Sequence, residues 1–167
     1  ITDSGNFEGK NILNITRTLA EVVASENVTT EELAETLAKG RTVLFDAREK
    51  RVKPARDEKI LTAWNGLMLA SFAEASAILE RPDYLEVARR NAQFILANLQ
   101  REGLLLRTYK DGHAKLNAYL EDYAFFVDGL VTLFETSGEL RWLEEARSLT
   151  ATMIKEFWDD EEGAFFY

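Results

Sequence analysis

Three acidic residues lie where acid–base chemistry could take place. Glu121 and Asp122 are adjacent at the start of one long apolar segment, and Asp57 lies just before another. Paired carboxyl groups suit the cleavage of a glycosidic bond, because one can be held protonated as the acid while the other is ionised as base or nucleophile. The alternative is structural, since acids at helix N-termini accept hydrogen bonds from free backbone N–H groups. The sequence favours the structural role for Asp57 and leaves both roles open for Glu121 and Asp122.

Side chains that could hold a ligand flank these acids in the sequence. They are Arg56, Trp64, Asn65, Tyr119 and Tyr123. Aromatic rings can stack on sugar rings, although aromatic residues in apolar helices more often belong to the core. A basic residue such as Arg56 could bind an anion or pair with the neighbouring acids, and we favour pairing. The pair Asn65-Gly66 lies inside a predicted helix, where glycine costs about 1 kcal/mol, so a close helix or ligand is expected to compensate.

The composition excludes several other kinds of site. The chain has one histidine and no cysteine among 167 residues, so thiolate metal sites, disulfides and thiol catalysis within it are excluded and a histidine-based metal cluster is not expected. No cofactor is predicted. The net charge of −9 argues against nucleic acid and anionic membrane surfaces as partners, and no apolar run approaches the ~20 residues of a membrane span. A cytoplasmic location is predicted.

A repeat of about sixty residues organises the chain. An almost wholly apolar helix is predicted over residues 60–79 and again over 119–137, and an amphipathic helix follows each, over 84–100 and 141–157. Setting Ser76 on Ser137 superposes the two apolar helices. Such a repeat indicates a stack of helical hairpins, with apolar helices buried on most sides in an inner layer and amphipathic helices in an outer layer. A four-helix bundle would make all its helices amphipathic.

The rest of the chain is assigned around this repeat, and we predict one domain over residues 1–167. Residues 1–28 form an irregular lead-in, with a short strand over 11–15 and a short helix over 16–26. Thr29 and Glu32 form a capping-box pattern that starts an outer helix over 29–50. The first helix pair takes residues 57–100 and the second takes 119–158. Between them, residues 103–118 are predicted to form a β-hairpin on the Asp111-Gly112 turn.

These patterns predict an all-α fold, a helical hairpin repeat that forms part of an (α/α)6-type toroid with short β-hairpins between the repeats. In that fold the connections from outer to inner helices lie at one rim of the ring. The three acids and the aromatic residues at the inner-helix N-termini are therefore expected to share this rim. A closed ring of six hairpins would need roughly twice this chain.

Three long motifs then carry a family resemblance: RVKPARDEKILTAWNGLM over 51–68, LEDYAFFVDGL over 120–130 and GNFEGKNIL over 5–13. The sequence resembles the spermatogenesis-associated protein 20 family, which joins an N-terminal thioredoxin-like domain to an α/α toroid. The resemblance implies a six-hairpin glycosidase-like toroid, similar in shape to N-acylglucosamine 2-epimerases. It also implies that this chain is an excised piece of a longer protein, and that its partners would be the thioredoxin-like domain and the rest of the ring. The chain departs from the family pattern at Ala55, where relatives commonly carry histidine.

Two functional hypotheses follow. The toroid could bind or process a carbohydrate-like ligand through the rim carboxylates, and would be glycosidase-like or sugar-isomerase-like if it is active. Sugar epimerisation is disfavoured by the single histidine. Alternatively, the toroid could be a non-catalytic interaction platform for the attached thioredoxin-like domain. In either case a piece of a ring leaves apolar helix faces without neighbours, so self-association through the cut edges is expected.

Overall fold

The computed structural model describes residues 3–12 and 14–166. Contacts between residues group the chain into two compact units, Ile1–Arg56 and Asp57–Tyr167. The prediction of a single domain over the whole chain stays a prediction. Among the described residues, no helix combines the length and the apolar composition that crossing a membrane requires.

The first unit contains two helices, α1 (Leu19–Glu26) and α2 (Thr30–Glu49). Each begins with a capping box: Thr18 with Glu21 in α1, and the predicted pair Thr29 and Glu32 in α2. The strand expected over residues 11–15 is absent at the described positions of that stretch, and Leu13 lies outside them. The helix expected from residue 16 begins three residues later because Thr18 takes the N-cap position.

The second unit contains the two helix pairs that the repeat predicts. They are α3 (Thr62–Ile78), α4 (Pro82–Asn98), α5 (Leu120–Ser137) and α6 (Leu140–Phe157). Helix α3 packs along α5, while α4 packs on α3 and α6 packs on α5. The hairpin repeat is confirmed, since each apolar helix pairs with the amphipathic helix that follows it.

Short strands occupy the connections between helices. They are β1 (Ile60–Leu61), β2 (Gln100–Arg101), β3 (Leu104–Lys110), β4 (His113–Asn117), β5 (Trp158–Asp159) and β6 (Ala164–Phe165). Strand β3 is central, because it pairs antiparallel with β1, β2 and β4. The β3–β4 hairpin turns at Asp111-Gly112, where both residues have positive φ, and this confirms the predicted hairpin.

The two apolar helices approach each other through glycines. A Cβ atom added at Gly66 would lie 2.6 Å from the backbone of Phe125 and Phe126, and one at Gly129 would lie 2.8 Å from the carbonyl oxygen of Gly66. Close approach of a neighbouring helix therefore explains the glycine at position 66, one of the two causes that the sequence left open. The core of the second unit surrounds this crossing, with Leu69, Phe126, Leu130 and Trp142 fully buried.

The expectation that α3 is buried on most sides is wrong for this chain. Trp64 is 68% exposed, and Met68 and Ile78 are also exposed. In the described part of the second unit, α3 has α5 beside it and α4 behind it, with β1 and β3 at its N-terminus. An inner helix of a layered repeat has another inner helix on each side. In the described part of the second unit α3 has such a neighbour, α5, on one side only. The apolar residues on its other side therefore stay in contact with solvent.

Candidate functional site

Asp122 joins the N-termini of the two apolar helices. Its Oδ1 accepts a hydrogen bond of 2.9 Å from the backbone N–H of Ala63 in α3, and its Oδ2 accepts one of 2.9 Å from the N–H of Tyr119 at the start of α5. Helix α3 has no capping side chain of its own, because Leu61 occupies the N-cap position. The carboxylate of Asp122 thus satisfies backbone donors at both helix ends.

The Asp122 side chain is completely buried. Loss of hydration raises the pKa of Asp122, although the N–H groups of Tyr119 and Ala63 and the charge of Arg107 oppose this rise. A buried carboxylate whose oxygens are already bonded to the protein cannot touch a ligand. The geometry therefore gives Asp122 a structural role, and its predicted catalytic role would require the site to open.

Arg107 is the residue that sequence reasoning missed. It lies on β3, and its Nη1 reaches both Glu121 Oε1 at 2.9 Å and Asp122 Oδ2 at 3.1 Å. Its guanidinium also stacks over the Tyr119 ring, 4.3 Å from the ring centre. Arg107 is therefore the basic residue whose positive charge lies beside the two acids. The only signal in the sequence was an arginine in the first strand of the hairpin that precedes the acidic pair.

Glu121 differs from its neighbour in exposure. Its side chain is 33% exposed, and no described residue donates a hydrogen bond to its second oxygen, Oε2. Adjacent positions on a helix point in directions about 100° apart, so Asp122 turns into the core while Glu121 stays at the surface. Of the two adjacent acids, Glu121 is the one that can meet a ligand.

Asp57 and Arg56 lie on either side of the boundary between the two units. The Asp57 side chain is 61% exposed and forms an ion pair of 2.8 Å with Lys59. Hydrogen bonds from the Lys59 side chain and backbone hold the pKa of Asp57 below its usual value. Arg56 is the last residue of the first unit and is exposed. The described contacts do not join Asp57 to the pair of acids on α5.

The predicted ligand-binding residues divide into an exposed and an enclosed group. Trp64 and Tyr119 are exposed at the N-termini of α3 and α5. Tyr123 is buried, and its hydroxyl accepts a hydrogen bond of 2.9 Å from the N–H of Leu105. Asn65 bonds to the carbonyl of Leu61 and to the Asn91 side chain. Tyr123 and Asn65 therefore hold the fold together at this end, whereas Trp64 and Tyr119 present ring surface to solvent.

The surroundings of the acids offer no metal site, since no group of three or more acids or histidines that could hold an ion occurs in residues 3–12 and 14–166. A cleft of about 220 Å³ lies behind the hairpin and is lined by residues that include Leu104, Asn117, Tyr123 and Phe157. Neither Glu121 nor Asp122 lines it. A larger cleft of about 380 Å³ lies between α3 and α5 and is lined by residues that include Glu74, Asp128 and Glu135. We call the group of Trp64, Arg107, Tyr119, Glu121 and the buried Asp122, at the N-terminal end of the two helices, the Glu121 rim.

The sequence comparison decides which proteins this chain resembles. No family model matches it. It is 36% identical over 172 residues to human spermatogenesis-associated protein 20, an alignment that covers 97% of this chain and 22% of that protein. The rat protein of the same name is 35% identical over 173 residues, with 98% and 22% covered. The chain resembles a segment of spermatogenesis-associated protein 20. It spans only 22% of the length of these curated relatives.

Solved structures show the fold class. A GH76 α-mannanase from Bacteroides thetaiotaomicron superposes with a TM-score of 0.61 at 16% identity, covering 69% of this chain and 33% of that one. The cellobiose 2-epimerase of Spirochaeta thermophila gives 0.59 at 18% identity, covering 65% and 28%. At these identities the likeness concerns the fold alone. The predicted α/α toroid class is confirmed, with this chain as part of such a toroid.

Proposed function

We propose that the chain binds a carbohydrate-like ligand at the Glu121 rim. The observation that carries this proposal is the bond from Ala63 N–H to Asp122 Oδ1 at 2.9 Å. Because it ties the N-termini of α3 and α5 together, Trp64, next to Ala63, and Glu121, next to Asp122, lie at the same end of the helix pair. An exposed ring and a partly exposed carboxylate at one rim are groups that can stack on a sugar and accept hydrogen bonds from its hydroxyls.

Each residue of the rim has a separate role in this proposal. Glu121 would accept a hydroxyl hydrogen bond through Oε2, and would be the acid–base group if a reaction takes place. Trp64 and Tyr119 would supply ring surface. Asp122 would position the two helices without touching the ligand. The fold likeness to a mannanase and a cellobiose 2-epimerase supports a sugar as the ligand class, and we take cellobiose as the probe.

The test is Glu121→Gln, which removes the charge at nearly constant volume. Since hydrogen bonds to charged groups contribute about 1.5–3 kcal/mol, cellobiose binding measured by titration calorimetry should weaken by roughly tenfold or more, while the melting temperature stays close to that of the wild type. Trp64→Ala should also weaken binding, and its melting temperature must be measured because packing is lost as well. Glu144→Gln, at an exposed position of α6, is the matched control. Unchanged binding in both rim variants would contradict the proposal.

A second candidate function is an interaction platform, and the exposure of α3 favours it. Trp64, Met68 and Ile78 present apolar surface along one side of this helix, and apolar surface of this kind marks interaction sites. We propose a thioredoxin-like domain as the partner, following the family resemblance. Met68→Glu should then weaken the association of the chain with that domain in a pull-down or by calorimetry, while cellobiose binding stays unchanged. Association that Met68→Glu leaves at full strength would count against the platform.

A further inference from the structure

Arg107 is held in a fixed position beside the two acids. It lies in the middle of β3, which pairs with β1 on one side and β4 on the other. The Tyr119 ring fixes the plane of its guanidinium, and the buried Asp122 fixes its Nη1 atom. A guanidinium restrained in these three ways cannot swing out to meet a ligand without breaking its contacts.

The charges at the rim do not balance. One guanidinium faces two carboxylates, Glu121 and Asp122, and both are bonded to the same nitrogen. Among the other elements that pack here, Ile60 and Leu61 of β1 and the first four residues of α3 are uncharged, while β4 carries Lys115 opposite Thr108. Two lysines, Lys59 and Lys110, act on Asp57. When both acids are ionised, the Glu121 rim therefore carries one net negative charge, with two carboxylates against one guanidinium.

This arrangement bears on the kind of sugar that could bind. Proteins usually recognise the carboxylate of a uronic acid or the phosphate of a sugar phosphate with a free arginine fork. Here the guanidinium is engaged by two carboxylates of the protein itself. An anionic sugar would meet a like charge at Glu121, whereas the hydroxyl of a neutral sugar can donate to Glu121 Oε2.

We infer that the Glu121 rim selects neutral carbohydrates and discriminates against anionic ones, and that Arg107 sets the degree of this discrimination by neutralising one of the two acids. The inference rests on the proposed function, since it names the substrate class of the same rim. It makes Arg107 a specificity-determining residue that acts through Glu121 and Asp122.

The experiment compares two disaccharides that differ in one group. Cellobiose and the analogue whose terminal glucose is oxidised to glucuronic acid are titrated into the protein by calorimetry, at low salt and at about 0.5 M salt. One unit of like charge near the ligand should weaken binding of the uronic acid by about three- to tenfold at low salt. High salt should reduce the ratio of the two dissociation constants, that of the uronic acid over that of cellobiose, because exposed charges are screened.

Two substitutions at position 107 then test whether Arg107 sets this discrimination. Arg107→Gln leaves two negative charges at the rim and should widen the ratio by a further three- to tenfold at low salt, whereas Arg107→Lys keeps the charge and should leave the ratio as it is. The matched control is Arg90→Gln, at an exposed position of α4. It changes the total charge of the chain by the same amount and should leave the ratio unchanged.

The outcomes separate the inference from the proposal beneath it. Binding of neither disaccharide would overturn both. Equal or tighter binding of the uronic acid, with cellobiose bound, would overturn the inference alone, as would an unchanged ratio in a folded Arg107→Gln. If Arg107→Gln does not fold, the salt dependence of the wild-type ratio decides, and a ratio that stays constant with salt overturns the inference.

Discussion

Replacing Gly66 by alanine should destabilise the second unit. The added Cβ atom would lie 2.6 Å from Phe125 C and Phe126 N, which are backbone atoms of α5. A side chain in that position could rotate away, but a backbone cannot. Helices α3 and α5 would have to move apart along the contact that builds the core.

The size of the effect is a difference between two opposing contributions. Alanine in a helix interior is favoured over glycine by about 1 kcal/mol. Overpacking a well-packed core costs about 1–3 kcal/mol, and occasionally more. Because the clash at Gly66 is with backbone, we take the upper part of that range and expect a net loss of about 1–2 kcal/mol in the free energy of unfolding.

Tryptophan fluorescence in urea is the assay. All three tryptophans of the chain lie in the second unit, at positions 64, 142 and 158, so their signal reports the unit that carries the substitution. The urea concentration at the midpoint of unfolding should fall, while the slope m of the free energy of unfolding against urea concentration stays unchanged. Gly40→Ala in α2 is the control, since no atom lies within 4 Å of the added Cβ there. Followed by circular dichroism, this variant should be more stable than the wild type, by up to about 1 kcal/mol.

The result that would refute this reasoning is a Gly66→Ala variant as stable as the wild type or more stable. It would mean that the two helices can separate at no cost and that the glycine is not required for their approach. A loss of stability in Gly40→Ala as large as in Gly66→Ala would equally remove the role of the close contact.

Two further predictions concern the whole chain. Burial raises the pKa of Asp122, so the folded protein binds this proton more tightly than the unfolded chain does; the stability that Asp122 contributes is full at low pH and is lost as the pH rises through the raised value. The stability difference between wild type and Asp122→Asn, measured by urea unfolding, should therefore shift against the wild type as the pH rises above about 4, the ordinary value of an aspartic acid, and a constant difference would contradict this. The exposed apolar residues of α3 predict self-association, which Met68→Glu should reduce; light scattering that finds a monodisperse wild-type monomer would contradict it.

Local patterns were sufficient to predict the helices, the hairpin and the repeat. Thr29 with Glu32 marks the start of α2 because a capping box involves only four consecutive residues. Asp111-Gly112 marks the β3–β4 turn because that turn needs two residues that tolerate positive φ. The alternation of apolar and amphipathic helices predicted the layered α/α fold, because the periodicity of each helix indicates which faces are apolar. It did not predict how much of α3 is buried, since that depends on which neighbours it has.

The sequence could not distinguish the two acids at the start of α5. Glu121 and Asp122 are neighbours with the same chemistry, and both satisfied every sequence criterion for an acid–base residue. Their difference depends on a residue that is far away in the chain, since only Asp122 accepts a hydrogen bond from the N–H of Ala63, whereas Arg107 contacts both acids. For the same reason Tyr123 could be placed near the rim, but its burial against Leu105 could not be predicted.

The sequence by itself therefore determined the family resemblance, the repeat and the fold class, because each of these depends on residue types and spacings within short segments. Only the tertiary structure decided which acid is exposed, which arginine balances it and which aromatic rings remain available. Those properties depend on burial and on contacts between segments up to 59 residues apart. No local pattern encodes them, since they arise only when α3, α5 and the hairpin pack together.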